Sequence, residues 1–198
     1  MRDMAADRPL ARWQQVGLGL LVLGLGVLGS MVVMRSSLMT RRMGDYDCFA
    51  RAGWAVRTGH NMYDVTDDNG FHYNYPPLFA ILMAPLADPP RGMPANGMVS
   101  YPVSVGIWYL VSLLLLAVGT HWLASALEEK AAKATLRQPR REGRRWWALR
   151  LIPILACAVP IGHTLMRGQA NFILLICFCG LAACTLRGQS WRAGLCLA

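Results

Sequence analysis

The stretch Val16–Met34, VGLGLLVLGLGVLGSMVVM, carries no charged side chain. A helix that crosses a hydrocarbon core needs roughly 20 such residues, so this run reads as a membrane span. It is not a cleavable leader. Its apolar core exceeds the roughly 7–15 residues of a signal peptide, and the Arg35-Ser36-Ser37 that follows is no small-x-small cleavage site. Three further apolar segments, at about 101–125, 147–166 and 169–186, extend the pattern. The expected fold is an all-α polytopic membrane protein with about four transmembrane helices. Arg150, within the third segment, is expected to snorkel to the interface. The run WRAGLCLA, 191–198, looks like the opening of a fifth span. Residues 1–198 therefore read as the N-terminal part of a single longer polytopic domain.

Basic residues orient the spans. The linker 128–146 is crowded with them: with the start of the next segment, EEKAAKATLRQPRREGRRWWALR (128–150) holds eight basic residues against three acidic ones. This linker is expected to be cytoplasmic, which places the loop 35–99 outside. Arg187 and Arg192 fit that orientation; Arg35, Arg41 and Arg42 count against it. The formal net charge of +9 is explained by anionic lipid headgroups facing the linker. Nucleic acid is not expected as a partner, since the basic residues are not interleaved with aromatics on a soluble fold. Five of the six cysteines lie in or beside the apolar segments, and Cys177-x-Cys179 lacks zinc-site spacing. They read as helix-packing residues, and no metal site is expected.

A loop of about 65 residues is far longer than the roughly 2–8 that join neighbouring helices. Tyr46, Phe49, Ala50, Gly53 and Trp54 recur at helical spacing, and Gly59 marks the stop. This predicts an interfacial helix, with Asp47 and Arg51 as a solvated i, i+4 pair on its other side. Next, NMYDVTDDNGFHYNYPPLF (61–79) is dense in turn formers and aromatics. The prolyl-bounded run PPLFAILMAPLADPP is too short to span and predicts a re-entrant or interfacial helix, with Pro77 in its first turn.

Two places combine chemistry with position. Asp45 precedes the loop helix, where it can be an N-cap or a general base held rigidly at the membrane surface; the two readings are compatible. Arg167, Gln169 and Asn171 cluster between the last two spans on the same expected side. There a helix N-terminus and a guanidinium suit an anion, although a polar hairpin tip would look the same. His60 and His72 are a weak metal signal, and aromatics near a headgroup belt need no function at all.

The segments GDYDCFARAGWAVRTGHNMYD, YNYPPLFAILMAPLA and RGQANFILL resemble, in order and spacing, glycosyltransferase family 87, polytopic enzymes of the C superfamily of membrane glycosyltransferases. The matching elements are Asp45-Tyr46, Gly59…Tyr63-Asp64, Tyr75-Pro76-Pro77 and Gly168-Gln169-Ala170-Asn171. Family chains run to roughly twice this length. The resemblance implies a transferase in the cell membrane with an extracytoplasmic active site. It would move a hexose, mannose by analogy, from a polyprenyl-phosphate donor to an envelope glycolipid or glycan, with inversion and no cofactor. It implies Asp45 as catalytic base and Asp47, Tyr63, His72, Tyr75, Arg167, Gln169 and Asn171 as substrate-binding residues. A non-catalytic assembly or scaffold protein and a transporter are the alternatives. The latter would favour polar sites at the bilayer midplane; within the second span only His121 is a candidate, and it is expected near the cytoplasmic end.

Overall fold

The computed structural model describes residues 12–37, 42–135 and 144–197. The part of the basic linker from 136 to 143, and Arg41, lie outside the described residues. Among the described residues the regular structure is helical, and pairing of β type is confined to one bridge, Thr66 with His72.

The first span is helix α1, Arg12–Ser37, whose apolar surface is largely exposed, as a lipid-facing helix requires. It leans on α4, Tyr101–Thr135. The Tyr109 hydroxyl of α4 donates to the Leu25 carbonyl at 2.9 Å, and its ring packs against Gly29. At 35 residues α4 extends for about 52 Å. It therefore continues past the expected span end at 125 and absorbs the first part of what the charge pattern marked as linker. Charge density did not break the helix because Glu128, Glu129, Lys130 and the alanines that follow are all strong helix formers.

The expected third span, 147–166, is broken. Helices α5, Arg144–Ala156, and α6, Ala158–Arg167, meet at Cys157 with a bend of 64°. Pro160 supplies the cause: it has no N–H for the Ala156 carbonyl, and its ring crowds that carbonyl. The fourth apolar run forms α7, Asn171–Leu186, only 16 residues long, and α8, Ser190–Leu195, follows. Two helices, α1 and α4, are long and apolar enough to cross a bilayer, and the bent α5–α6 pair brings the number to three. Of the about four expected spans, the third is thus a bent helix pair and the fourth a helix of 16 residues.

Arg150 does not snorkel. It is buried at the α4–α5 contact, where its guanidinium forks onto Glu128 with both N···O distances at 3.2 Å. The same group donates to His121 Nδ1 at 3.1 Å and to Ser125, and it stacks on Trp146. A charge this deep is tolerated because every arm of the fork is occupied. Arg187, at the end of α7, grips Glu129 with two bonds of 2.8 Å. These ion pairs gather at one end of α4; the elements of the loop 35–99 gather at the other.

That loop contains α2, Gly44–Thr58, which ends at Gly59 in the left-handed conformation, as the sequence predicts. It also contains α3, Pro77–Met83, with proline at its first turn and a 3₁₀ turn, Ala84–Leu86, behind it. Helices α2 and α3 touch at Gly53, where a Cβ would lie 2.6 Å from the Met83 carbonyl oxygen. Helix α3 buries Ala80 and Met83 and leaves Leu78, Ile81 and Leu82 exposed. This second apolar face is what an interfacial helix presents.

Candidate active site

Met43 occupies the N-cap of α2, and no side chain caps it. Asp45 lies inside the first turn rather than before it, which corrects the N-cap reading; it gains only the helix's positive end. Its Oδ2 lies 3.4 Å from Nε of Arg167, with the two side chains 31% and 49% exposed. Two residues from opposite ends of the chain, expected on the same face, are thus in contact. An exposed pair of this kind contributes about 0–1 kcal/mol, so it is easily exchanged for a ligand.

Arg167 ends α6, and Gly168 follows with φ of 66°. Only glycine suits this position, since a Cβ there would sit 2.6 Å from Cβ of Tyr46. The Gly168 carbonyl accepts a 2.9 Å bond from Nε1 of Trp108. Just beyond, the Asn171 amide donates to Gln169 Oε1 at 2.9 Å, and to the Thr164 hydroxyl at 3.4 Å. Gln169 and Asn171 therefore form one polar cluster beside Arg167, at the start of α7.

The aromatic turn closes the other side. The Tyr63 hydroxyl donates to the Tyr75 carbonyl at 3.2 Å, and the His72 ring N–H reaches the Tyr63 carbonyl at 3.3 Å. Tyr75 meets Phe49 edge to face at 4.9 Å and remains 43% exposed. Burial, then the charge of Asp45, raise the Tyr75 phenol above its ordinary pKa. Tyr75 is thus near enough to feel the charge of Asp45, and it is linked to Tyr63 and through it to His72. His60 is elsewhere, stacked on Trp54 at 4.8 Å. Among the described residues no three histidine, cysteine or acidic side chains gather into a metal-binding group.

Asp47 corrects another expectation. It is buried rather than solvated, and Arg51 turns away from it to Asp68. One Asp47 oxygen accepts from the Tyr101 hydroxyl, while Oδ2 is buried without a partner. Burial pushes its pKa up to about 7, with the Tyr101 bond and Arg42 pulling the other way. In this position Asp47 does not face the exposed surface on which it was expected to bind substrate.

Sequence reading missed the centre of the loop. Asp68 receives Arg42 at 3.0 Å, Arg51 at 3.0 Å and Arg91 at 2.9 Å. Burial alone would raise its pKa; the three guanidiniums outweigh burial and hold it below the ordinary carboxylate value. Arg42 also pairs with Asp88, and Arg51 donates to the Asp88 and Thr66 carbonyls at 3.2 and 3.0 Å. The signal was available as six arginines and six aspartates within the loop 35–99, but their pairing is long-range.

With this geometry in place, comparison with protein families decides the class. The family model described as glycosyltransferase family 87 matches residues 73–198, more than half of the chain. The chain belongs to glycosyltransferase family 87. The matched region contains Tyr75, Arg167, Gln169 and Asn171; Asp45, Asp47, Tyr63 and His72 precede it. Neither the curated proteins nor the solved structures offer a match. Family membership and the apolar helices make this protein a membrane glycosyltransferase.

Proposed function

We propose that this family 87 glycosyltransferase moves a hexose, mannose by the family resemblance, from a polyprenyl-phosphate donor to an envelope glycolipid or glycan acceptor. The observation that carries this reading is the contact of Asp45 with Arg167. A carboxylate beside a guanidinium suits a displacement in which an alcohol loses a proton while a phosphate leaves. The acceptor oxygen attacks the anomeric carbon, and the bond from that carbon to the phosphate oxygen breaks. The hydroxyl proton passes to Asp45, and the electron pair departs on the lipid phosphate, which Arg167 receives. Attack from the face opposite the leaving group inverts the anomeric centre. Positioned base catalysis of this kind supplies about 10²–10⁴-fold.

A lipid-linked donor is supported by a groove of about 610 Å³ between α4, α5, α6 and α7. Its walls include Leu116, Leu123, Ile152 and Leu175, and it reaches Thr164 and Asn171. An apolar channel that ends in a polar cluster beside an arginine fits an isoprenoid chain ending in a phosphate. Tyr75, exposed beside Asp45, offers a ring face to the sugar. The active site is assigned to the extracytoplasmic side of the cell membrane because the basic linker 128–146 belongs to the other end of α4 in the sequence.

The test is transfer of labelled mannose from synthetic polyprenyl-phosphate mannose to membrane glycolipid in vesicles holding the protein. Label in lipid or glycan that depends on the protein supports the reading. Label that appears equally without it would sink it.

A further inference from the structure

The Asp45–Arg167 contact at 3.4 Å is exposed and too weak to set its own geometry. The supports of each residue converge on one helix. On the Asp45 side, the Tyr101 hydroxyl accepts the Met43 N–H at 3.2 Å and donates to the Asp47 carboxylate. The Asp47 N–H in turn bonds the Met43 carbonyl at 2.9 Å. Met43, Asp47 and the tyrosine hydroxyl therefore close a ring around the first turn of α2, and Asp45 is carried in the middle of that turn. Arg42 stacks on the Tyr101 ring, 4.6 Å from its centroid, and ties it to Asp68 and Asp88. On the Arg167 side, Trp108 bonds the Gly168 carbonyl. Tyr101 and Trp108 are seven residues apart, two turns along one face of α4. Tyr46 fills the space between them, with ring centroids 6.0 Å from Tyr101 and 6.2 Å from Trp108.

We propose that Tyr101 and Trp108 are positioning residues for the transfer reaction, and that this face of α4 sets the placement of Asp45 against Arg167. The inference rests on the reading of those two residues as base and phosphate ligand. Neither Tyr101 nor Trp108 needs to touch substrate: each acts through the backbone turn that it holds. Tyr101→Phe removes the hydroxyl and keeps the ring against Arg42. Trp108→Phe removes the bond to Gly168 and keeps an aromatic against Tyr46.

The experiment has two arms, both in the protein expressed from its whole reading frame and reconstituted in vesicles. In the first, Tyr101→Phe should lower kcat tenfold or more while KM for polyprenyl-phosphate mannose changes less than twofold, and Trp108→Phe should show the same split. A kcat within twofold of wild type for both variants overturns the proposal. So does failure of both variants to reach the membrane in normal amounts, since the two residues would then hold the fold as a whole. The second arm needs no activity. In a cysteine-free background, cysteines at 45 and 167 are bridged by a short bifunctional thiol reagent, with and without Tyr101→Phe. A several-fold loss of cross-linking in the variant is expected; unchanged cross-linking overturns the positioning role. If Asp45→Asn proves active, the base reading fails, while the cross-linking arm still decides whether Tyr101 sets the geometry.

Discussion

Nε of Arg167 lies 3.4 Å from Oδ2 of Asp45, so the end of α6 and the first turn of α2 meet at a single partly exposed ion pair. In the proposed reaction the donor phosphate competes with Asp45 for that guanidinium, and binding the donor releases the carboxylate to face the acceptor.

Arg167→Ala should therefore weaken donor binding tenfold or more, read as a rise in KM for polyprenyl-phosphate mannose with normal protein in the membrane. Arg167→Lys should recover only part of the loss, because an ammonium has no planar fork. Unchanged donor KM in the alanine variant would return Arg167 to a polar hairpin tip.

Asp47 gives a stability signature. Its folded pKa of about 7 stands above the ordinary value of about 3.9, so between these values the folded protein holds the proton more tightly than the unfolded chain. Stability from this residue is thus present at low pH and lost as pH rises through about 7. Asp68 acts in the opposite sense, through protonation at pH below about 4. Thermal unfolding in detergent should show wild type falling relative to Asp47→Asn between pH 5 and pH 8. Parallel curves for the two proteins would contradict the buried placement of Asp47.

Arg150 is the third case. Removing one partner of a buried pair strands the other and costs about 3–5 kcal/mol. Arg150→Met should lower the unfolding temperature sharply, and adding Glu128→Gln should recover much of it. A single variant as stable as wild type would mean that the α4–α5 contact does not depend on the fork.

The helices were legible where periodicity is local. Tyr46, Phe49 and Trp54 are buried in α2 as expected, but so is every other residue from Tyr46 to Ala55, so the helix has no solvated side there. Gly59 ends it and Pro77 opens α3 as expected. The kink at Cys157 could have been read from Pro153 and Pro160, but an apolar run conceals a break when only its length is weighed. The site was half legible. Asp45 and Arg167 were expected on one face, but their contact depends on α4, and Tyr101 and Trp108 looked like ordinary residues of a span. Asp47 and Arg51 show the limit of local spacing: an i, i+4 pair was available, and Asp68, reached only through the folded loop, gave Arg51 a better partner.

The proposed membrane sidedness rests on the basic linker and can be tested directly. A single cysteine at Asn69, an exposed position in the loop 35–99, should react with an impermeant maleimide added to intact cells, and one at Gln138 should react only after lysis. The opposite pattern would place the candidate site in the cytoplasm.

The central claim is that Asp45 takes the acceptor's proton, and turnover of Asp45→Asn tests it most directly. Asparagine preserves the shape of the side chain and removes its basicity. Measured with polyprenyl-phosphate mannose and native lipid acceptor, the variant should lose about 10²-fold or more in kcat while donor binding is retained. Turnover close to wild type would show that the base lies elsewhere.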